Sequence, residues 1–224
     1  MLIEEARWLG DQLRALEPAT TFPLLDVGSS TEKFRSQEQP WIDEAIFSPA
    51  RSAGRTVLHL DAKAAPGVDI VADLEDPATV RAMKAHGFKS VLCSNLLEHV
   101  LDRQKVARTL LELVPAEGGI LIVSCPYRYP YHPDPIDSMF RPTPEELADL
   151  FPGTRIQRQA IVYDGTYGDQ IRRAPVAFLK LLVRLLLPFY KPSSWRRGYR
   201  HLIDHLPWTF RRFEATCVVL VRGA

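Results

Sequence analysis

The 224-residue sequence predicts an open, doubly wound α/β sheet, and three observations predict it. Short aliphatic runs alternate with helical patterns along most of the chain, which is the signature of right-handed βαβ units. The runs are too uniformly apolar for one-sided strands, as expected of strands buried on both faces of a parallel sheet. Acids and a glycine stand at the carboxyl ends of these runs, the edge at which such sheets bind ligands.

The elements follow in order. Residues 2–16 (LIEEARWLGDQLRAL) carry early acids and helical periodicity, and read as an amphipathic helix and not as a signal peptide. Strands are predicted at 22–27 (FPLLDV), 56–60 (TVLHL), 69–72 (DIVA), 90–94 (SVLCS) and 119–125 (GILIVSC). Helices are predicted at roughly 39–50, 76–86, 98–114 and 144–151, punctuated by Pro18, Gly87 and Gly118-Gly119. The end of the chain breaks the alternation. Residues 155–165 (RIQRQAIVYDG) and 214–223 (EATCVVLVRG) read as strands separated by an apolar, basic insertion. With no repeat or low-complexity tract, the expectation is one domain over 1–224, elaborated at 166–212.

Composition is that of a soluble globular protein, 46% hydrophobic and 25% charged. Cys93, Cys125 and Cys217 are far apart in apolar runs, giving neither a disulfide framework nor metal-ligand spacing. Reduced core thiols in a cytoplasmic protein are therefore expected, and no metal site. The net charge of +1 conceals an asymmetry: residues 172–212 hold ten Lys or Arg against the single acid Asp204. That end is suited to an anionic surface.

The rim residues each have a chemical rationale. Gly28, after the first strand, allows a sharp turn and close approach of a ligand to backbone. Asp61 ends the second strand, where an acid can accept two hydrogen bonds from a ribose diol. Asp73 follows the third strand and Asn95 the fourth. Each acid taken alone could equally cap a helix. All of them in this order point to one nucleoside-binding edge.

The set resembles the class I S-adenosylmethionine-dependent methyltransferases over about residues 20–165 and the last strand. The resemblance is carried by LLDVGSST (24–31), VLHLDAK (57–63), GVDIVADLEDP (67–77), SVLCSNLLEHV (90–100) and ELVPAEGGILIVSCP (112–126). It implies a Rossmann-like sheet in the order 3-2-1-4-5-7-6, mostly parallel with a final antiparallel strand. It further implies S-adenosylmethionine as cofactor and S-adenosylhomocysteine as product. By position, Asp26, Gly28, Ser29 and Ser30 would form the loop holding the methionine part. Asp61 would take the ribose, Asp73 and Leu74 would flank the adenine, and Asn95 and His99 would lie at the cofactor's far side. The loop departs from the family pattern, with Ser30 and Glu32 where later glycines are usual. A small serine at 30 can keep the loop's N–H donors if its backbone permits, and Lys33 or Arg35 could answer the cofactor's carboxylate. A dinucleotide fold would instead want a complete G-x-G-x-x-G, which G-S-S-T-E-K is not.

The strip after the fifth strand, CPYRYPYHPDPIDSMFRPTPEEL (125–147), holds His132, Asp134, Asp137 and Arg141. It resembles a stretch of methyltransferases of polysaccharide and lipid-linked sugar pathways, which implies a small or glycan-type acceptor. His132 is the first candidate for general base, with His99 as competitor; Asp137 could orient His132 or take its place, and Arg141 could clamp an anionic substrate group. Alternatively, His132 and Asp137 bond loop backbone while Arg141 pairs with Asp137. Tyr127, Tyr129 and Tyr131 either line the acceptor site or pack.

The stretch 174–192 is too short for a membrane span and carries Lys180 and Arg184 on one helical face. With the Arg- and Trp-rich 193–213 it suits an anionic membrane interface, placing the protein at the inner face of the membrane. A lid or a homodimer helix is the other reading. The acidic sheet portion and the lack of a recognition module speak against nucleic acid. Against the enzyme stands a second class, an inactive methyltransferase-like scaffold binding a partner or membrane through 172–212.

Overall fold

The computed structural model describes residues 1–132, 136–186 and 192–223. Seven strands build one sheet: β1 (Leu24–Val27), β2 (Val57–Asp61), β3 (Ile70–Val71), β4 (Ser90–Ser94), β5 (Ile120–Arg128), β6 (Thr154–Thr166) and β7 (Arg212–Arg222). Their order is β3-β2-β1-β4-β5-β7-β6, the order implied by the resemblance. The first five pair in parallel, while β7 runs antiparallel to both β5 and β6. Chain order reverses between β1 and β4, the switch point outside whose carboxyl edge sheets of this kind bind ligands.

Alternation along the strands feeds two cores. Leu25, Val27, Leu60, Val91, Cys93, Leu121 and Val123 face Val106, Ala107 and Leu110 of the helix Arg103–Leu113. Their neighbours Leu24, Leu92, Ile120 and Ile122 face the opposite layer, meeting Ala6, Leu9 and Leu13 of the N-terminal helix Ile3–Ala15. The three cysteines are free and fully buried. Gly119, entering β5, is dictated by packing: a Cβ there would lie 2.4 Å from the Pro115 carbonyl oxygen.

Two helix expectations need correction. Instead of one helix at 39–50, residues 34–52 form short α and π turns: Phe34–Glu38, Pro40–Ile42, Asp43–Phe47 and Ser48–Ser52. Pro40 and Pro49 supply no N–H to a helical ladder, which divides the segment. Instead of a helix from 98, a 3₁₀ turn at Leu97–His99 gives way to extended Val100, and the helix starts at Arg103. Asp102 caps it by accepting from the Lys105 amide, and that cap holds the preceding residues out of the helix. Glu98 and His99 thereby stay on a tight turn at the rim.

Between β6 and β7 lie the helices Tyr167–Arg173, Pro175–Leu185 and Pro192–His205, then a 3₁₀ turn at Leu206–Thr209. The apolar stretch anticipated at 174–192 continues through 187–191, which lie outside the described residues. Among the described residues no helix is long and apolar enough to cross a membrane.

Candidate functional site

The rim on the β1–β3 side is built from the loop after β1. Gly28 has φ of 71°, and a Cβ on it would stand 3.2 Å from Leu96 Cδ1. Ser30 adopts φ of 57°, the left-handed backbone of a glycine. Its amide donates to Asp61 Oδ2 at 2.9 Å, and the Lys63 amide donates to Asp61 Oδ1 at 3.0 Å. Asp61 therefore holds the loop as well as ending β2, and each oxygen keeps a second lone pair for a ligand hydroxyl.

Arg35 is buried, and its guanidinium donates to the carbonyls of Ser29 (2.8 Å), Ser30 (2.8 Å) and Gly67 (2.7 Å). It stitches two loops together and does not reach outward to a ligand carboxylate. Lys33 pairs with Glu38. Glu32 is exposed and its amide donates to the Pro66 carbonyl.

Asp73 is exposed just beyond β3, its Oδ1 taking the Glu75 amide at 2.8 Å. Since Asp61 pairs with Val71 in the register, both acids stand at the same edge of adjacent strands. Leu74 is buried in the core, while its carbonyl accepts from Thr109 Oγ1. Asp26 sits inside the sheet, not on the rim. Its Oδ2 lies 2.8 Å from His59 Nδ1 on the neighbouring strand, so the pair joins β1 to β2.

The β4–β5 side is closed by a residue that sequence reasoning missed. Glu5, on the N-terminal helix, accepts from Asn95 Nδ2 (2.8 Å) and Ser124 Oγ (2.6 Å), pinning the helix to the ends of β4 and β5. Asn95, itself at φ of 50°, is thus committed to Glu5. A signal existed: Glu5 shares the apolar stripe of Leu9 and Leu13, an odd place for an acid without a partner.

In the strip after β5, Asp137 is the hub. Its side chain is fully buried and accepts from the His132 amide (3.0 Å), the Met139 amide (2.8 Å) and both terminal nitrogens of Arg141 (2.7 and 3.1 Å). Burial pushes its carboxyl up, but the Arg141 guanidinium and the two amides outweigh that and hold it at about 2. Asp137 is a fixed carboxylate, and Arg141 is spent on it and on loop carbonyls. The backbone-bonding alternative describes these two residues. Asp134 lies outside the described residues.

His132 points two ways. Its Nδ1 lies 3.2 Å from both the Pro130 carbonyl and Asp137 Oδ2, and Tyr129 packs edge-on against its ring. Desolvation lowers its pKa, which favours the neutral imidazole. His99 Nδ1 meets the Ile136 carbonyl, and the two imidazoles cross at 87°. Both Nε2 atoms face Glu98, at 3.6 Å from His99 and 3.9 Å from His132. Glu98 is fully buried, both its oxygens lack a hydrogen-bond partner among the described residues, and burial pushes its carboxyl up to about 8. His99 therefore belongs with the β5 strip more than with the cofactor loop.

The sequence matches no protein-family model and no curated protein. Its structure matches solved ones. A protein assigned as a sarcosine dimethylglycine methyltransferase from Galdieria sulphuraria superposes with a TM-score of 0.60 at 11% identity, covering 98% of this chain and 84% of that one. The [4+2]-cyclase SpnF gives 0.54 at 15% identity, over 97% and 82% of the two chains. Coclaurine N-methyltransferase, bound to N-methylheliamine and S-adenosylhomocysteine, gives 0.54 at 15%, over 89% and 67%. A cyclase among them shows that this fold hosts more than one chemistry, so activity must be argued from the site. With its strand order, its reversed last strand and these likenesses, the chain has the fold of the class I S-adenosylmethionine-dependent methyltransferases.

Proposed function

We propose that the protein transfers a methyl group from S-adenosylmethionine to an oxygen or nitrogen of a small or glycan-type acceptor. One observation carries the reading: the two sides of a single switch point are differentiated, acids and a glycine-like loop on one, a cluster of proton acceptors on the other. The residues present fit the cofactor. Gly28 turns at a positive φ where a Cβ would crowd Leu96, Ser30 keeps the backbone of the missing glycine, and Asp61 and Asp73 share one edge. When bound, the cofactor supplies a methyl carbon already activated by a sulfonium.

The protein must then align the acceptor and remove its proton. The proton passes to His132 Nε2. Asp137 positions the His132 ring and Arg141 fixes Asp137. With Arg141 engaged, the group that suits an anionic acceptor is a cavity of about 430 Å³ lined by Arg128, Trp208, Arg211, Arg212 and Glu214.

The helices between β6 and β7 are the proposed membrane-facing element. Val176 (63% exposed), Leu179 (60%) and Leu186 (79%) stand in solvent beside the basic side chains of Lys180 and Arg184. Such a surface fits the interface of an anionic bilayer. Sedimentation with vesicles containing phosphatidylserine checks this, and equal indifference to charged and neutral vesicles refutes it.

Titration calorimetry with S-adenosylhomocysteine tests the enzyme reading. Binding is expected, and Asp61→Ala should weaken it by about 1.5–3 kcal/mol, the worth of hydrogen bonds to a charged group. Absence of binding to the unaltered protein would leave the scaffold reading in possession.

A further inference from the structure

Glu98, His99 and His132 form a cluster whose chemistry general-base action does not account for. A carbonyl oxygen only accepts, so the Ile136 and Pro130 carbonyls require the proton on Nδ1 of each neutral imidazole. The Nε2 atoms then carry lone pairs, and both are aimed at a buried carboxyl that has no hydrogen-bond partner among the described residues. When Glu98 is ionised, three acceptors converge with no donor among them. The ligand atoms all lie within 4.8 Å of one another.

We propose that Glu98, His99 and His132 bind a divalent first-row transition cation through one carboxylate oxygen and two Nε2 atoms. Bonds to such an ion are about 2.0–2.2 Å, which puts neighbouring ligands roughly 3–3.5 Å apart. The observed 3.6 and 3.9 Å separations from the carboxylate oxygen exceed this by about 0.1–0.9 Å, and the whole set, within 4.8 Å, would draw in around the ion by side-chain rotation. The outward nitrogens are already held by carbonyls, as imidazoles that bind metals are. Two imidazoles and a carboxylate suit zinc, manganese or cobalt better than calcium or magnesium. Three protein ligands leave a position open on the side where the acceptor would bind.

The inference deepens the proposed function, since the cation would sit at the acceptor end. Coordination would then acidify the acceptor's hydroxyl or amine, its proton would leave to solvent water, and His132 would serve as ligand instead of direct base. Its test needs neither cofactor nor acceptor.

Tag-free protein stripped with a chelator is titrated with Zn²⁺ by calorimetry, and with Co²⁺ while its visible absorption is followed. One equivalent should bind, with the visible bands of a low-coordinate cobalt site. Glu98→Gln and His99→Ala should each weaken binding by more than about tenfold. His99 is partly exposed, so its variant serves even if the Glu98 variant misfolds. No binding, or undiminished binding by the His99 variant, overturns the site and leaves a proton on Glu98 as what balances the cluster. Titrating the same samples with S-adenosylhomocysteine separates the two claims. Homocysteine derivative bound without metal sinks only the cation, and metal bound without it sinks only methyl transfer.

Discussion

The two sides of the switch point are opposites in how their polar groups are satisfied. At the ends of β1 and β2 the polar groups are spent on the protein itself: the Ser30 amide on Asp61, the Arg35 guanidinium on three carbonyls, and Asp26 on His59. At the ends of β4 and β5, Glu98 is buried with both oxygens unpartnered among the described residues and two imidazole lone pairs turned toward it. A buried polar group left unpaired costs about 1–3 kcal/mol, more when charged. The first side is a scaffold that fixes a backbone shape. The second carries an unmet demand for a proton or a cation, and unmet demand is what chemistry uses.

The largest effect that would sharpen this contrast is in the pH dependence of stability. Burial raises Glu98 to about 8 in the folded protein, against 4.5 ordinarily. Between those values the folded state binds a proton that the unfolded chain has released, so stability falls as pH rises. The loss should reach about 4–5 kcal/mol near pH 8 in metal-free protein. Urea unfolding from pH 5 to 8 measures it, and Glu98→Gln should flatten the profile. A flat profile in the unaltered protein would mean that the carboxylate is satisfied after all.

On the scaffold side, Arg35→Met would leave three carbonyls without their donor. A loss of about 3 kcal/mol is expected. Denaturant midpoints would show it, and an unchanged midpoint would break the picture of a stitched loop.

Ser30→Gly tests the glycine-like turn. Serine at positive φ is strained where glycine is not, so the variant should gain about 0.5–1 kcal/mol and still bind S-adenosylhomocysteine. A loss of stability would mean that the hydroxyl matters more than the backbone. The smallest effect is expected at Leu179→Glu on the exposed helical face. Stability should change by less than about 0.5 kcal/mol while vesicle binding declines. A large destabilisation would show that the side chain is covered by protein.

Much of the fold was legible because its signals are local. LLDV, VLHLD and SVLCS are strands from their own composition, and Asp61 and Asp73 mark the edge because they end them. Boundaries were less legible where one residue outcompetes a pattern: Asp102 captures the Lys105 amide, and the periodicity that ran back to residue 98 stops there. Within the site, residue identity was readable but duty was not. Arg141 looked like a substrate clamp and serves Asp137. Asn95 looked like a cofactor contact and serves Glu5, 90 positions away.

By itself, then, the sequence determined the sheet, its two cores and the row of acids along one edge, since hydrophobic period and strand-end chemistry act over a few residues. Only the tertiary structure decided which polar groups are satisfied. A hydrogen bond reaches about 3 Å through space and is indifferent to separation along the chain. Asp26 and His59, Glu5 and Ser124, Glu98 and His132 became partners or neighbours only when the strands beneath them were laid side by side.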